Sequence, residues 1–87
     1  MKLEDAIRLA NELMREHLAR RVVLADGRIS ERRLMSWSFG FDRATSRFGL
    51  CNHTNRKITI SKTLTELNDE SEVRDTILHE IAHALAG

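Results

Sequence analysis

The sequence predicts an α+β domain with an N-terminal helix, a small three-stranded antiparallel sheet and a C-terminal helix. Two observations predict the helices and the strands. Apolar residues recur every three or four positions near both ends of the chain, whereas apolar and polar residues alternate between positions 35 and 60. A length of 87 residues accommodates one small domain, so residues 1–87 are predicted to form a single unit.

The first predicted element is a helix over residues 2–19, which contain neither proline nor glycine. Its apolar side is formed by residues at helical spacing: Leu3, Ile7, Ala10, Leu13, Met14, His17 and Leu18. Because His17 shares this side, we expect it to be a partly buried packing residue rather than a metal ligand.

Three short stretches in the middle of the chain have the two-residue period of half-buried strands. Their apolar residues are Met35, Trp37, Phe39 and Phe41, then Phe48 and Leu50, then Ile58 and Ile60. The polar connections 42–46 and 52–56 have hairpin length, which predicts an antiparallel meander. The alternation also favours a core position for Trp37 over a role in stacking on nucleic-acid bases.

Residues 22–29 allow two interpretations. Asp26-Gly27 is a turn signal, but residues 22–24 are compatible with either a short strand or an extended lead-in. The second helix is better defined, because Asp69 and Glu72 have the spacing of a capping box. Its predicted apolar stripe consists of Val73, Ile77, Ile81, Ala84 and Leu85, and residues 63–67 are predicted to form a short helical turn before it.

The chemistry of this helix is suggested by the HExxH pattern at residues 79–83. On a helix that turns about 100° per residue, His79 and His83 lie about 40° apart, so both imidazoles can reach one metal ion. Glu80 lies about 100° from His79. It can therefore take a proton from a water molecule whose pKa zinc lowers toward ~7. The alternative is an ordinary amphipathic helix with an accidental motif.

Cys51 and His53 are a second candidate pair of metal ligands, because one intervening residue is compatible with a shared ion. The alternative is a small apolar cysteine at a strand end beside a loop histidine. Cys51 is the only cysteine, so the chain forms no internal disulfide, and a reducing, cytoplasmic location is the simplest expectation. No signal sequence or membrane span is predicted.

Charge is distributed unevenly along the chain. Residues 20–62 contain ten basic and three acidic residues, a net charge of +7, whereas residues 63–87 have a net charge of −5. Such asymmetry is typical of a surface that binds a polyanion, but a solvated arginine-rich region has the same composition. A non-catalytic module that binds nucleic acid or protein through residues 20–62 is therefore the alternative to a metallopeptidase.

Three segments occur in a characteristic order: Arg47-Phe48-Gly49-Leu50-Cys51, then Lys57-Ile58-Thr59-Ile60-Ser61, then a run from Asp75 to Ala84 that includes the HExxH pattern. Because of these three segments and their order, residues 34–87 resemble the SprT-like metallopeptidase domain of the Spartan/SprT family. The resemblance implies a zincin-like mini-domain that hydrolyses protein or peptide substrates. Eukaryotic members cut proteins crosslinked to DNA, so DNA–protein crosslink repair and DNA binding are expectations here.

The resemblance also implies that His79 and His83 bind zinc and that Glu80 is the catalytic base. The family draws its third zinc ligand from a histidine downstream of this helix, and no histidine follows His83 in this sequence. We therefore expect an N-terminal fragment of a longer protein, or a short form with an incomplete site. For these 87 residues the expectation is weak zinc binding with little or no proteolysis.

Overall fold

The computed structural model describes residues 1–23, 25–27, 29–33 and 37–86, with the backbone alone described for 19–23 and 29–33. Three helices and five strands follow in this order: α1 (Leu3–Leu18), β1 (Ala19–Val23), β2 (Ile29–Arg33), β3 (Ser38–Asp42), β4 (Gly49–Asn52), β5 (Lys57–Ser61), α2 (Lys62–Leu67) and α3 (Glu70–Ala86). The predicted α+β class is confirmed, with long helices at both ends of the described chain.

The core lies where α1, β5 and α3 pack together. Its buried side chains come mainly from these elements: Ala6, Leu9, Ala10, Leu13, Met14, Leu18, Trp37, Ile58, Ile60, Val73, Ile77, Ile81 and Ala84. The predicted core position of Trp37 is confirmed. His17, however, is exposed. It lies in the last turn of α1, where a basic side chain in solvent interacts favourably with the helix dipole.

The sheet differs from the predicted antiparallel meander. Its strand order is β3-β5-β4, with β5 parallel to β3 and antiparallel to β4. Ile58 and Ile60 are completely buried, as expected for the central strand. Of the two connections that were predicted to be hairpins, the one between β4 and β5 is a hairpin and the one between β3 and β4 is not. Among the other predicted strand residues, Met35 lies outside the described residues.

The connection between β3 and β4 explains why this prediction was wrong. Instead of turning back, it crosses the carboxyl end of β5, to which two side chains attach it. The Asp42 carboxylate accepts a hydrogen bond from the Thr59 hydroxyl at 2.9 Å, and the Ser61 hydroxyl donates to the Ala44 carbonyl at 2.6 Å. The Ser61 amide then donates to the Phe48 carbonyl at 2.7 Å, just before β4 begins. Connection length alone does not reveal such contacts.

We expect Asp42→Ala to lower the free energy of unfolding by about 1–3 kcal/mol. The Asp42 carboxylate accepts three hydrogen bonds, from the Ala44 amide, the Thr59 hydroxyl and the Arg47 guanidinium, and each contributes about 0.5–1.5 kcal/mol. Urea denaturation measures the change. Asp5→Ala is the matched control, because Asp5 makes one exposed ion pair, with Arg8, among the residues that the structure describes. Equal losses in both variants would contradict the role of Asp42.

This contribution depends on pH. Burial raises the pKa of Asp42, but the hydrogen bonds from Ala44, Thr59 and Arg47 outweigh it and leave the pKa below its ordinary value of 3.8. A lowered folded-state pKa gives stability that is complete above the unfolded-state value and is lost as pH falls through the folded-state value. The difference between wild type and Asp42→Ala should therefore shrink below pH ~4.

The ambiguous segment contains a strand. β1 and β2 form a separate antiparallel hairpin, in which Val23 pairs with Ile29. Gly27 in the connecting turn has a φ of +85°, a conformation that glycine adopts without strain. Leu24 and Arg28 lie outside the described residues. Within the described part of the chain, no helix is long and apolar enough to cross a membrane.

Candidate metal centre

Helix α3 positions the predicted site residues. The Asp69 carboxylate accepts a hydrogen bond from the Glu72 amide at 3.0 Å, so the predicted cap is present at the helix start. The buried stripe of Val73, Ile77, Ile81 and Ala84 then fixes the rotation of the helix against the core. Leu85, which was predicted to share this stripe, is 51% exposed.

The two histidines of α3 are exposed and converge on one point. Nε2 of His79 lies 3.1 Å from Nε2 of His83, and the rings meet edge to face with centroids 4.6 Å apart. Two imidazole ligands of a tetrahedral zinc ion, at zinc–nitrogen distances of about 2.0–2.1 Å, stand about 3.3 Å apart. The observed separation is close to this value, and so the pair fits a shared metal ion.

Glu80 faces strand β4 and is 7% exposed. It approaches Gly49 so closely that a Cβ atom at position 49 would lie 2.7 Å from Oε2 and 2.9 Å from Cγ of Glu80. The same Cβ would lie 3.0 Å from Cγ2 of Thr76, one turn earlier in α3. The absence of a side chain at Gly49 therefore allows α3 and the Glu80 carboxylate to pack against β4.

Sequence reasoning did not give Gly49 this role. The alternation of Phe48 and Leu50 around it predicts a strand but no contact with Glu80. A glycine inside a strand is itself a signal of close approach by another group. A glycine in a strand does not identify the approaching group. The packing of α3 on β4 identifies it as Glu80.

The second candidate pair lies on the same side of the molecule as the first. Cys51 and His53 line one cleft together with His79, Glu80 and His83. The Cys51 sulfur is 3.8 Å from Nε2 of His53. The cleft volume is about 450 Å³. This is room for an ion and several water molecules, since each water occupies about 30 Å³ of liquid.

The cleft affects the ionisation of the cysteine. Burial raises the pKa of the Cys51 thiol, and the negative charge of Glu80 raises it further. Both causes favour the neutral thiol, because each disfavours a thiolate at this position.

Among the residues that the structure describes, no three histidine, cysteine, aspartate or glutamate side chains stand close enough together to hold a metal ion as they are. The histidine pair of α3 thus supplies two ligands, one fewer than the three protein ligands usual in a catalytic zinc site. The structure adds no third ligand to the pair, and the zinc assignment remains a prediction.

Part of the arginine-rich segment lies outside the residues that the structure describes. The side chains of Arg20, Arg21, Arg28, Arg32 and Arg33 lie outside the described residues. The basic residues that are described are exposed: Arg43, Arg47, Arg56, Lys57 and Lys62. Arg47 forms an ion pair of 3.3 Å with Asp42. A nucleic-acid interface on this segment therefore remains a prediction.

The sequence resembles a known protein family. The sequence matches the SprT-like family over residues 11–86, which include every strand, the whole of α2 and α3, and all candidate metal ligands. No curated protein and no solved structure matches significantly.

Proposed function

The chain belongs to the SprT-like family, and we propose that it is a zinc-dependent metallopeptidase domain in which His79 and His83 hold the metal and Glu80 is the general base. The observation that carries this proposal is the Nε2–Nε2 distance of 3.1 Å between the two histidines. Because Glu80 follows His79 directly and lines the same cleft, a proton acceptor stands beside the proposed metal position.

The metal, the two histidines and Glu80 have separate roles in the proposed hydrolysis. Zinc, when bound, supplies a Lewis acid that makes water more acidic and polarises the peptide carbonyl. For His79 and His83 to bind it, Nε2 of each must carry the free lone pair, so each ring proton must be on Nδ1. Glu80 accepts the proton of the attacking water and returns it to the leaving amine. Its contact with Gly49 limits the positions available to its carboxylate.

The proposal extends to substrates that are bound to DNA. The support is the net charge of +7 over residues 20–62 and the exposure of the described basic side chains. If this segment binds DNA, a DNA-stimulated rate of protein cleavage should fall steeply as salt concentration rises, because phosphate contacts release counterions. DNA binding without any metal-dependent hydrolysis would instead favour the non-catalytic module.

Calorimetric titration with zinc at neutral pH tests the metal site. We expect one zinc ion per wild-type chain and no measurable binding to His79→Ala, because a single imidazole cannot replace a chelating pair. His17→Ala is the matched control, since His17 is an exposed histidine of α1 and does not line the cleft. A wild-type chain that binds no zinc, or a His79→Ala variant that binds it equally well, would refute the site.

A further inference from the structure

The cleft that contains the histidine pair continues along α3 into a second cleft of about 350 Å³. The two clefts share Gly49, His79 and Glu80. A substrate whose scissile carbonyl lies at the proposed metal position would therefore extend a neighbouring side chain into the second cleft. We propose that this cleft is a specificity subsite for a lysine or arginine side chain beside the scissile bond, an inference that rests on the proposed function.

The charged lining of the second cleft is acidic. Glu72, Asp75 and Glu80 line it, whereas no lysine or arginine does. Glu72 and Asp75 are exposed, and their carboxylates form no ion pair with the side chains that the structure describes. Because these two residues lie three positions apart on one helix, their like charges repel each other. A cationic side chain bound between them would relieve this repulsion.

The spacing of the two carboxylates along α3 favours a long cationic side chain. Asp75 precedes His79 by four residues and Glu72 precedes it by seven, which correspond to about 6 Å and about 10 Å along the helix axis. A substrate side chain must cross such a distance from the metal position before its charge meets a carboxylate. Lysine and arginine both have a positive charge at the end of a flexible stem.

Part of the cleft wall is apolar, which suits the stem of such a side chain. The Phe48 side chain is half-buried and lines the cleft. The Thr76 hydroxyl donates to the Glu72 carbonyl at 3.0 Å, while its methyl group faces Gly49. Lysine and arginine pack their methylene groups on apolar surface and keep the charged head in solvent. Phe48 and Thr76 can therefore contact the stem while the carboxylates contact the head.

The burial of Glu80 is separate evidence that a ligand enters this groove. Glu80 is 7% exposed, lines both clefts, and accepts no hydrogen bond from the residues that the structure describes. A buried carboxylate without a partner is costly, so a group that enters the groove is expected to supply one. The described acidic side chains do not form a group of three that could hold a metal ion. An organic cation therefore fits the second cleft better than a metal ion does.

Two unstructured peptides that differ at one central residue test this inference. One peptide has lysine and the other has norleucine, which keeps the apolar stem without the charge. Fluorescence anisotropy measures their binding to the full chain in the presence of zinc, at about 0.15 M salt to screen long-range attraction. We expect the lysine peptide to bind about fivefold more tightly, the factor that corresponds to a strong exposed ion pair. Mass spectrometry should locate cleavage beside the lysine.

The lysine preference should be lost in Glu72→Gln/Asp75→Asn. The matched control is Glu66→Gln/Glu70→Gln, which removes two charges from exposed residues of α2 and α3 that line neither cleft. It should retain the preference, whereas Asp75→Lys should weaken binding of the lysine peptide further. Circular dichroism reports whether each variant is folded.

Three results would overturn the inference: equal affinity of the wild type for the two peptides, a preference that survives in Glu72→Gln/Asp75→Asn, or an equal loss in both double variants. Hydrolysis of both peptides at one rate, with equal affinities, would overturn the subsite and leave the proposed function intact. A lysine preference that depends on Glu72 and Asp75, in a chain that binds no zinc and hydrolyses neither peptide, would retain the cationic subsite and refute the proposed function.

Discussion

Glu80→Gln is expected to lower the rate of peptide hydrolysis by about 100- to 10,000-fold, the contribution typical of a positioned general base. Glutamine has nearly the shape of glutamate, so the contact with Gly49 is retained. It cannot accept the proton of the attacking water. Zinc affinity should remain close to that of the wild type, because Glu80 is not a proposed ligand. Cleavage of an unstructured protein substrate at saturating zinc measures the rate.

Two comparisons make this test specific. Glu70→Gln makes the same change at another exposed carboxylate of α3, which does not line a pocket with His79 and Glu80, and should leave the rate nearly unchanged. Hydrolysis by Glu80→Gln at the wild-type rate would remove Glu80 from the mechanism. If neither the wild type nor the variant hydrolyses substrate although zinc is bound, the expectation of an incomplete site, made from the sequence, would be supported.

Gly49→Ala should have the second large effect, a loss of about 1–3 kcal/mol of stability together with displacement of the Glu80 carboxylate. The added Cβ would lie 2.7 Å from Oε2 of Glu80 and 3.0 Å from Cγ2 of Thr76. Because Glu80 is held between β4 and the rest of α3, relief of the clash requires either the helix or the carboxylate to shift. Hydrolysis should decrease by more than the fraction of unfolded protein explains.

Gly40→Ala is the matched control, since Gly40 lies in β3 of the same sheet. Its added Cβ would meet Cε and Nζ of Lys57 at 3.1 and 3.4 Å. These atoms are at the end of a flexible side chain that can move aside at little cost. Thermal unfolding and hydrolysis should therefore change much less in Gly40→Ala. Equal effects of the two substitutions would show that Gly49 has no particular relation to Glu80.

The helices were predictable because their signals are local. The Asp69 cap and the stripe from Val73 to Ala84 set the start and the rotation of α3, and with them the direction of His79 and His83. The predicted turn at residues 63–67 corresponds to α2, which Ser61 caps by accepting a hydrogen bond from the Leu64 amide. Such contacts join residues three or four positions apart, and spacing is sufficient to infer them.

The order of the strands was not predictable from spacing. The parallel pairing of Phe41 with Ile60 depends on the path of the chain between β3 and β4, which the contacts of Asp42 and Ser61 determine. The approach of Glu80 to Gly49 and the position of His53 beside the α3 histidines likewise depend on packing between elements. Sequence supplied these residue types, but only the fold brings them together.

The cleft has a consequence for folding order, because all its lining residues fall between Gly49 and His83. The β4–β5 hairpin and α3 succeed one another in the chain with only the short α2 between them. Joining them closes a shorter loop than joining α1 to α3, and shorter loops cost less entropy. The two walls of the candidate site therefore belong to one contiguous stretch of chain, and α1 is not needed to bring them together.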